Sequence, residues 1–131
     1  SMMELKAIVE EADAANVHVM AHAYTPRAIQ NAVRAGVKSI EHGNLLDDES
    51  AQVMANAGAF LVPTLATYEA LAKEGAKEGL TPDMVQKVYD VLEAGKRSIA
   101  IARKAGVTLC YGSDLLAEMH RHQLRGLILL E

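Results

Sequence analysis

The stretch Ala35-Gly36-Val37-Lys38-Ser39-Ile40-Glu41-His42-Gly43 holds the unit on which the fold reading turns. Ala35-Gly36 closes a helix, because the residue just past a helix end takes left-handed backbone and glycine does so without steric cost. Val37 to Gly43 then reads as a short buried strand rich in aliphatic residues, with His42 at its far end. The same unit recurs along the chain. Ala15-Asn16 leads into Val17 to Ala23, Ala57-Gly58 into Ala59 to Leu65, and Ala105-Gly106 into Val107 to Tyr111.

The segments between these runs read as helices. Glu4 to Ala15 carries Leu5, Ile8, Val9 and Ala12 on one face. Thr25-Pro26 is an N-cap followed by proline at the first helical position, and Ile29, Ala32 and Val33 continue the apolar stripe. Asp47 or Asp48 caps a helix with the stripe Ala51, Met54 and Ala57. Thr81-Pro82 opens a long helix with Val85, Val88, Leu92, Ile99 and Ala102, stopping at Gly106. A last helix begins near Gln123 and runs to Glu131, and Lys73, Glu74, Lys77 and Glu78 read as a solvated lid or loop helix. Ser1, ahead of Met2-Met3, reads as an expression scar and is left out of the fold.

Strands alternating with helices imply an α/β fold with a parallel sheet. Two architectures fit, an open doubly wound sheet and part of a (βα)8 barrel. The first usually shows a glycine-rich phosphate turn after its first strand. Here that turn is His22-Ala23-Tyr24-Thr25-Pro26, so the barrel is preferred. A whole barrel takes about 250 residues. About four βα units in 131 residues therefore predict a single partial barrel domain over 1–131, cut at both ends. Such an arc exposes sheet edges, which predicts a homo-oligomer.

Composition removes several function classes. Net charge is −4 with no basic cluster, and the aromatic residues are four Tyr and one Phe, so no nucleic-acid partner is expected. No apolar run is long enough for a membrane span, and no secretory leader pattern is present. The one cysteine, Cys110, has no internal disulfide partner, which fits a cytoplasmic protein. Cys110 is expected to fill core, not to act as a nucleophile.

The chemistry-bearing residues fall at one level. His22 lies six residues past Asn16, His42 six past Gly36, Thr64 six past Gly58, and Asp114 eight past Gly106. These even offsets predict a common face, and each position is the C-terminal end of a strand, where barrel enzymes keep their catalytic groups. Two imidazoles and a carboxylate suit a borderline divalent cation such as zinc. Asp114 is also placed to carry the proton of a metal-activated water.

Met20-Ala21-His22-Ala23-Tyr24, Ser39-Ile40-Glu41-His42-Gly43 and Tyr111-Gly112-Ser113-Asp114-Leu115 together resemble the imidazolonepropionase-like branch of the amidohydrolase superfamily, and within it the prolidase-like enzymes. The resemblance covers essentially the whole chain and aligns its strands with strands five to eight of that barrel. It implies His22 and His42 as metal ligands and Asp114 as ligand and general base. It also implies a small amide substrate, a dipeptide or an N-acyl amino acid. Tyr24, Thr64 and His120 are the candidates for contacting it, Tyr24 through a substrate carboxylate.

The family's first strand carries a His-x-His pair and its fourth a lysine that bridges two metals, and neither strand is in this sequence. The family's second histidine on strand five corresponds to Met20, which is expected to fill core. Glu41 is expected to point to the helix layer, and His18 to the far end of the barrel. His120-Arg121-His122 reads as pocket rim or surface. Two functions stay open: an amide hydrolase, and a non-catalytic truncated half-barrel that folds and oligomerises with or without a metal.

Overall fold

The computed structural model describes residues 1–77 and 79–131. The chain runs α1 (Met2–Ala14), β1 (Met20–Ala23), α2 (Pro26–Ala35), β2 (Ser39–His42), α3 (Asp48–Ala57), β3 (Phe60–Val62), α4 (Leu65–Glu74), α5 (Pro82–Ala105) and β4 (Thr108–Leu109). A 3-10 segment (Ala117–His122) and α6 (Arg125–Leu129) follow. The strands form one parallel sheet in the order β1-β2-β3-β4. A doubly wound sheet reverses its strand order at a switch point. Here each strand lies beside its sequence neighbour, so the sheet is an arc of a (βα)8-type barrel, as the repeat predicts.

The predicted caps form. Gly36, Gly58 and Gly106 take left-handed backbone at the ends of α2, α3 and α5, and Asn16 does the same just after α1. Thr25, Asp47 and Thr81 each accept a hydrogen bond from a first-turn backbone N–H. Ser1 is part of the fold after all. Its side chain and that of Glu4 make a reciprocal capping box at the start of α1.

The main core lies between the convex face of the sheet and its helices. Ile29, Val33, Val37, Ile40, Met54, Leu61, Ala102 and Val107 are all buried in it. Burying each large aliphatic side chain contributes about 1.5–3 kcal/mol. The stripe on α1 is covered less than its pattern predicts. Val9 packs on the core, while Ile8 stays exposed, because α1 meets α2 alone among the larger element contacts.

The concave face differs. Met20 is 65% exposed and Phe60 40%, and register puts them in one row with Ser39 and Thr108. Met20 therefore does not fill core. It stands on the edge strand, on the face of the sheet that no helix covers. Glu41 is also on that face, level with His22 and Val62, and accepts a hydrogen bond from the Ser39 hydroxyl at 2.5 Å. The expectation that it points to the helices fails because the register is one residue out from the offset count.

Helix α4 is the element the sequence reading did not draw. It buries Leu65, Ala66, Thr67, Tyr68, Ala70 and Ala72, with Leu65, Tyr68 and Ala72 sharing a second cluster with Leu92 and Ile99 of α5. Lys73 and Glu74 form its last turn, so they are not a free lid. Lys77 is exposed, and Glu78 lies outside the described residues. The last helix, expected from near Gln123 to Glu131, is the shorter α6, and the 3-10 segment precedes it. No helix among the described residues is long and apolar enough to cross a membrane.

Candidate functional site

His22 and His42 meet at the C-terminal rim of β1 and β2. His22 Nδ1 lies 2.7 Å from His42 Nε2, and the rings stack with centroids 4.8 Å apart. Pairing alone would keep them apart, because His42 is level with Ala23, and His22 with Glu41. Successive strand residues point to opposite faces, so His42 would follow the helix-side face. Its φ of +77° turns it back across the strand end. Gly43 follows with φ +59°, leaving a second left-handed residue in the same corner.

Left-handed backbone recurs along the rim. Five non-glycine residues among those described have it: Asn16, at the opposite end of the strands, and His42, Thr64, Asp114 and Ala117 at or beyond strand C-terminal ends. His42, Thr64 and Asp114 are three of the four rim residues that the even offsets single out. Non-glycine residues hold such conformations where surrounding contacts enforce them, and these concentrate at functional sites.

Thr64 shows what enforces one of them. It stands at the N-cap of α4 yet makes no capping bond with its side chain. Its Oγ1 lies instead 2.8 Å from His42 Nδ1. With Nδ1–H donating to Thr64, His42 Nε2 keeps its lone pair, the tautomer a metal ligand needs, and accepts from His22 Nδ1–H. A threonine cap is worth ~1 kcal/mol to a helix, so this hydroxyl orients His42 at the expense of α4.

Two tyrosines enclose the imidazole. Tyr24 stacks on His42 at 4.8 Å with the planes 12° apart, and Tyr68 meets it edge-on at 6.0 Å. The Tyr68 hydroxyl donates to the Tyr24 hydroxyl at 2.9 Å. Burial, then the hydrogen bond to Tyr24, push the Tyr68 phenol far above its usual range, so it stays neutral. Burial also lowers the His42 pKa, against the attraction of Asp114, so the ring favours its neutral, ligating form. The loop after His42 is pinned from behind. Asn44 is fully buried, donating to the Val91 carbonyl at 3.2 Å, and its own carbonyl accepts from Ser98 Oγ at 2.8 Å.

The predicted residues therefore separate into two groups. His22, His42, Thr64 and Tyr24 are brought together. Asp114 is exposed at the mouth of β4, near enough for its charge to act on His42 and Tyr68. His120 is exposed on the 3-10 segment, and no hydrogen bond or ring contact found among the described residues joins it to the cluster. His122 instead bonds Glu74 at 2.6 Å. His18 is exposed ahead of β1, and Cys110 is half-buried at the end of β4. The reading missed Tyr68, Asn44 and Ser98. The spacing of Leu65, Tyr68 and Ala72 was the available signal, hidden behind a strand drawn as far as Leu65.

Two nitrogens bound to one tetrahedral zinc at 2.0–2.1 Å stand roughly 3.4 Å apart. The His22–His42 pair is closer than that, at hydrogen-bond distance, so both nitrogens can face one ion only once the rings part and the proton between them leaves. As arranged, no three His, Cys, Asp or Glu side chains among the described residues form a metal-holding group. The imidazole pair thus offers two ligand positions, and Asp114 stands outside them.

Comparison with known proteins identifies the family. The sequence profile of the amidohydrolase family matches residues 1–130, and the chain belongs to that family. A solved amidohydrolase is 52% identical and superposes with a TM-score of 0.92 over 99% of this chain and 32% of its own. A prolidase complexed with N-methylphosphonate-L-proline is also 52% identical, with a TM-score of 0.86 over 99% of this chain and 34% of that one. Ochratoxinase of Aspergillus niger is 38% identical over 112 residues, which is 85% of this chain and 23% of that protein. The chain thus spans about a third or less of the length of these relatives.

Proposed function

We propose that this amidohydrolase-family chain carries part of the active site of a metal-dependent hydrolase that cleaves an amide or peptide C–N bond in a small molecule, a dipeptide or an N-acyl amino acid. The observation that carries the reading is the facing pair His22 Nδ1 and His42 Nε2, fixed by the left-handed turn at His42 and by the Thr64 hydroxyl. His22, His42 and Asp114 are the ligands for one divalent ion, with zinc the best match to two imidazoles and a carboxylate. When bound, such an ion supplies an acidified water and polarises the scissile carbonyl.

The chain's own residues do the rest. Thr64 holds His42 in its ligating tautomer. Asp114 takes the proton from the attacking water and returns it to the leaving nitrogen. Tyr24, exposed beside His42, presents a hydroxyl to the substrate carboxylate, and Tyr68 fixes the direction of that hydroxyl. His120 is assigned to the outer rim of the substrate site. The relatives' prolidase and dipeptidase descriptions support this substrate class.

A second reading has its own support. Asp114 stands outside the imidazole cluster, and no three metal-ligating side chains gather among the described residues. A non-catalytic half-barrel that binds a metal weakly or not at all accounts for this. Exposed Met20 and Phe60 on the concave face, and the edge strand β1, favour self-association in either case.

Metal content per chain, measured by mass spectrometry after purification without added metal, separates the two readings. Near-stoichiometric zinc, lost in His42→Asn, with amide hydrolysis abolished by Asp114→Asn, is the expected result. Absence of metal from the unsubstituted protein, with no turnover on added zinc, selects the second reading. Light scattering at micromolar concentration tests the assembly, and a monomer contradicts it.

A further inference from the structure

A hollow of about 260 Å3 lies between α4 and the segment that follows Asp114. Thr67 and Leu71, one turn apart on α4, form one wall, and Leu116, Ala117, Glu118 and Met119 form the other. Both walls are connections leaving the C-terminal ends of strands, α4 after β3 and the 3-10 segment after β4. They stand on the same rim as the imidazole pair. The α4 wall shares its helix with Thr64, at the cap, and with Tyr68.

The hollow is built, not a gap between loose loops. Ala66, Ala70 and Leu115 are buried together, with Met119 packed against them. Glu74 of α4 is ion-paired to Arg121 and hydrogen-bonded to His122 of the 3-10 segment. Glu69 takes both a 2.8 Å and a 3.1 Å hydrogen bond from Arg125 just beyond it. Ala117 is held in left-handed backbone at φ +45°, which no glycine relieves. These contacts tie the two walls together.

The lining selects the occupant. Leu71, Leu116, Ala117 and Met119 are apolar, and Leu116 is 76% exposed beside the hollow. Glu118 is the one charged group in the lining and disfavours an anion. The volume lies just below the range of drug-sized ligand sites, which is room for one amino-acid side chain. We propose that this hollow receives a branched aliphatic or aromatic side chain of the substrate while the amide lies at the His22–His42 rim. The proposal rests on the hydrolase reading above for the identity of the amide.

Two neutral probes test it, N-acetyl-L-leucinamide and N-acetylglycinamide, titrated into the metal-free protein and followed by NMR chemical shifts. Pockets distinguish apolar groups by roughly tenfold or more for a single methylene. The leucine probe is expected to bind at least about tenfold more tightly than the glycine probe, with shifts at Thr67, Leu71 and Met119. Leu116→Ser is expected to bring the ratio close to one. Its melting temperature should be unchanged, because Leu116 is exposed. Equal affinities, absence of saturable binding by either probe, or an unchanged preference in Leu116→Ser would overturn the proposal. No turnover or metal enters this experiment. Its failure therefore leaves the hydrolase reading standing, and loss of metal from His42→Asn leaves the side-chain pocket standing.

Discussion

Tyr68→Phe removes one oxygen and leaves the ring in place, so it isolates the Tyr68–Tyr24 hydrogen bond from the packing around it. That bond is 2.9 Å long, and a typical one contributes about 0.5–1.5 kcal/mol net. Tyr24 is 41% exposed, so its freed hydroxyl regains water, which puts the expected loss near the lower end, about 0.5–1 kcal/mol. Tyr68→Ala also removes a ring packed with Leu65, Ala72, Leu92 and Ile99, and should cost about 3–5 kcal/mol. Against a whole-domain stability of about 5–15 kcal/mol, the first variant stays folded and the second is marginal.

The assay is urea denaturation followed by far-UV circular dichroism, with Tyr24→Phe and the double variant completing a cycle. Contacting residues couple, so an interaction energy of about 0.5–1 kcal/mol is expected. It should not vary across neutral and mildly alkaline pH, because buried Tyr68 keeps its proton there. A coupling energy indistinguishable from zero, or a Tyr68→Phe cost as large as that of Tyr68→Ala, would refute the reasoning.

Three further outcomes follow from the same geometry. Gly43→Ala should destabilise by about 2–4 kcal/mol, read as a lower urea midpoint, because its φ of +59° is strained for alanine and the new Cβ would stand 2.5 Å from Leu61 Cδ1. A midpoint within error of the parent's sinks the steric account. His42 has a lowered pKa in the fold, so the unfolded chain binds more protons as pH falls below about 6.5. Stability is complete above that pH and lost below it, down towards the folded pKa, at no more than about 1.4 kcal/mol per pH unit. The melting temperature of the metal-free protein should fall accordingly, with a shallower slope in His42→Gln. Glu69 is held below its usual carboxylate range by Arg125, so its contribution is present above about pH 4.3 and lost below it. Arg125→Ala should cost about 0.2–1 kcal/mol at neutral pH and show less acid sensitivity, as half-exposed pairs do.

Helix caps and strand runs were legible because both are local. A glycine past a helix end, or Thr-Pro before one, acts through backbone within a few residues, and those positions appear where the sequence put them. Helix α4 was not legible because its apolar stripe begins directly after β3, where Pro63-Thr64-Leu65 continues the strand's hydrophobic run. The rim histidines were found through strand-end position. The accompanying face count did not hold, since Met20, the first paired residue of β1, lies four past Asn16, whereas Ser39 lies three past Gly36. The pleat alone would have placed His42 with the helices.

The sequence by itself determined the parallel α/β arc, its element order, the strand ends where the histidines stand and the family to which the chain belongs. Each follows from periodicity and caps read over short windows, or from motifs in order. Tertiary structure decided which of those residues meet. His42 reaches His22 only because a left-handed residue ends β2, and Thr64 turns to His42 only because α4 goes without its cap. It also decided that Glu41 faces the concave side, that Tyr68 joins Tyr24, and that Asp114 stands apart from the imidazoles. Those outcomes depend on register and on contacts between residues twenty or more positions apart, and no short window of sequence contains them.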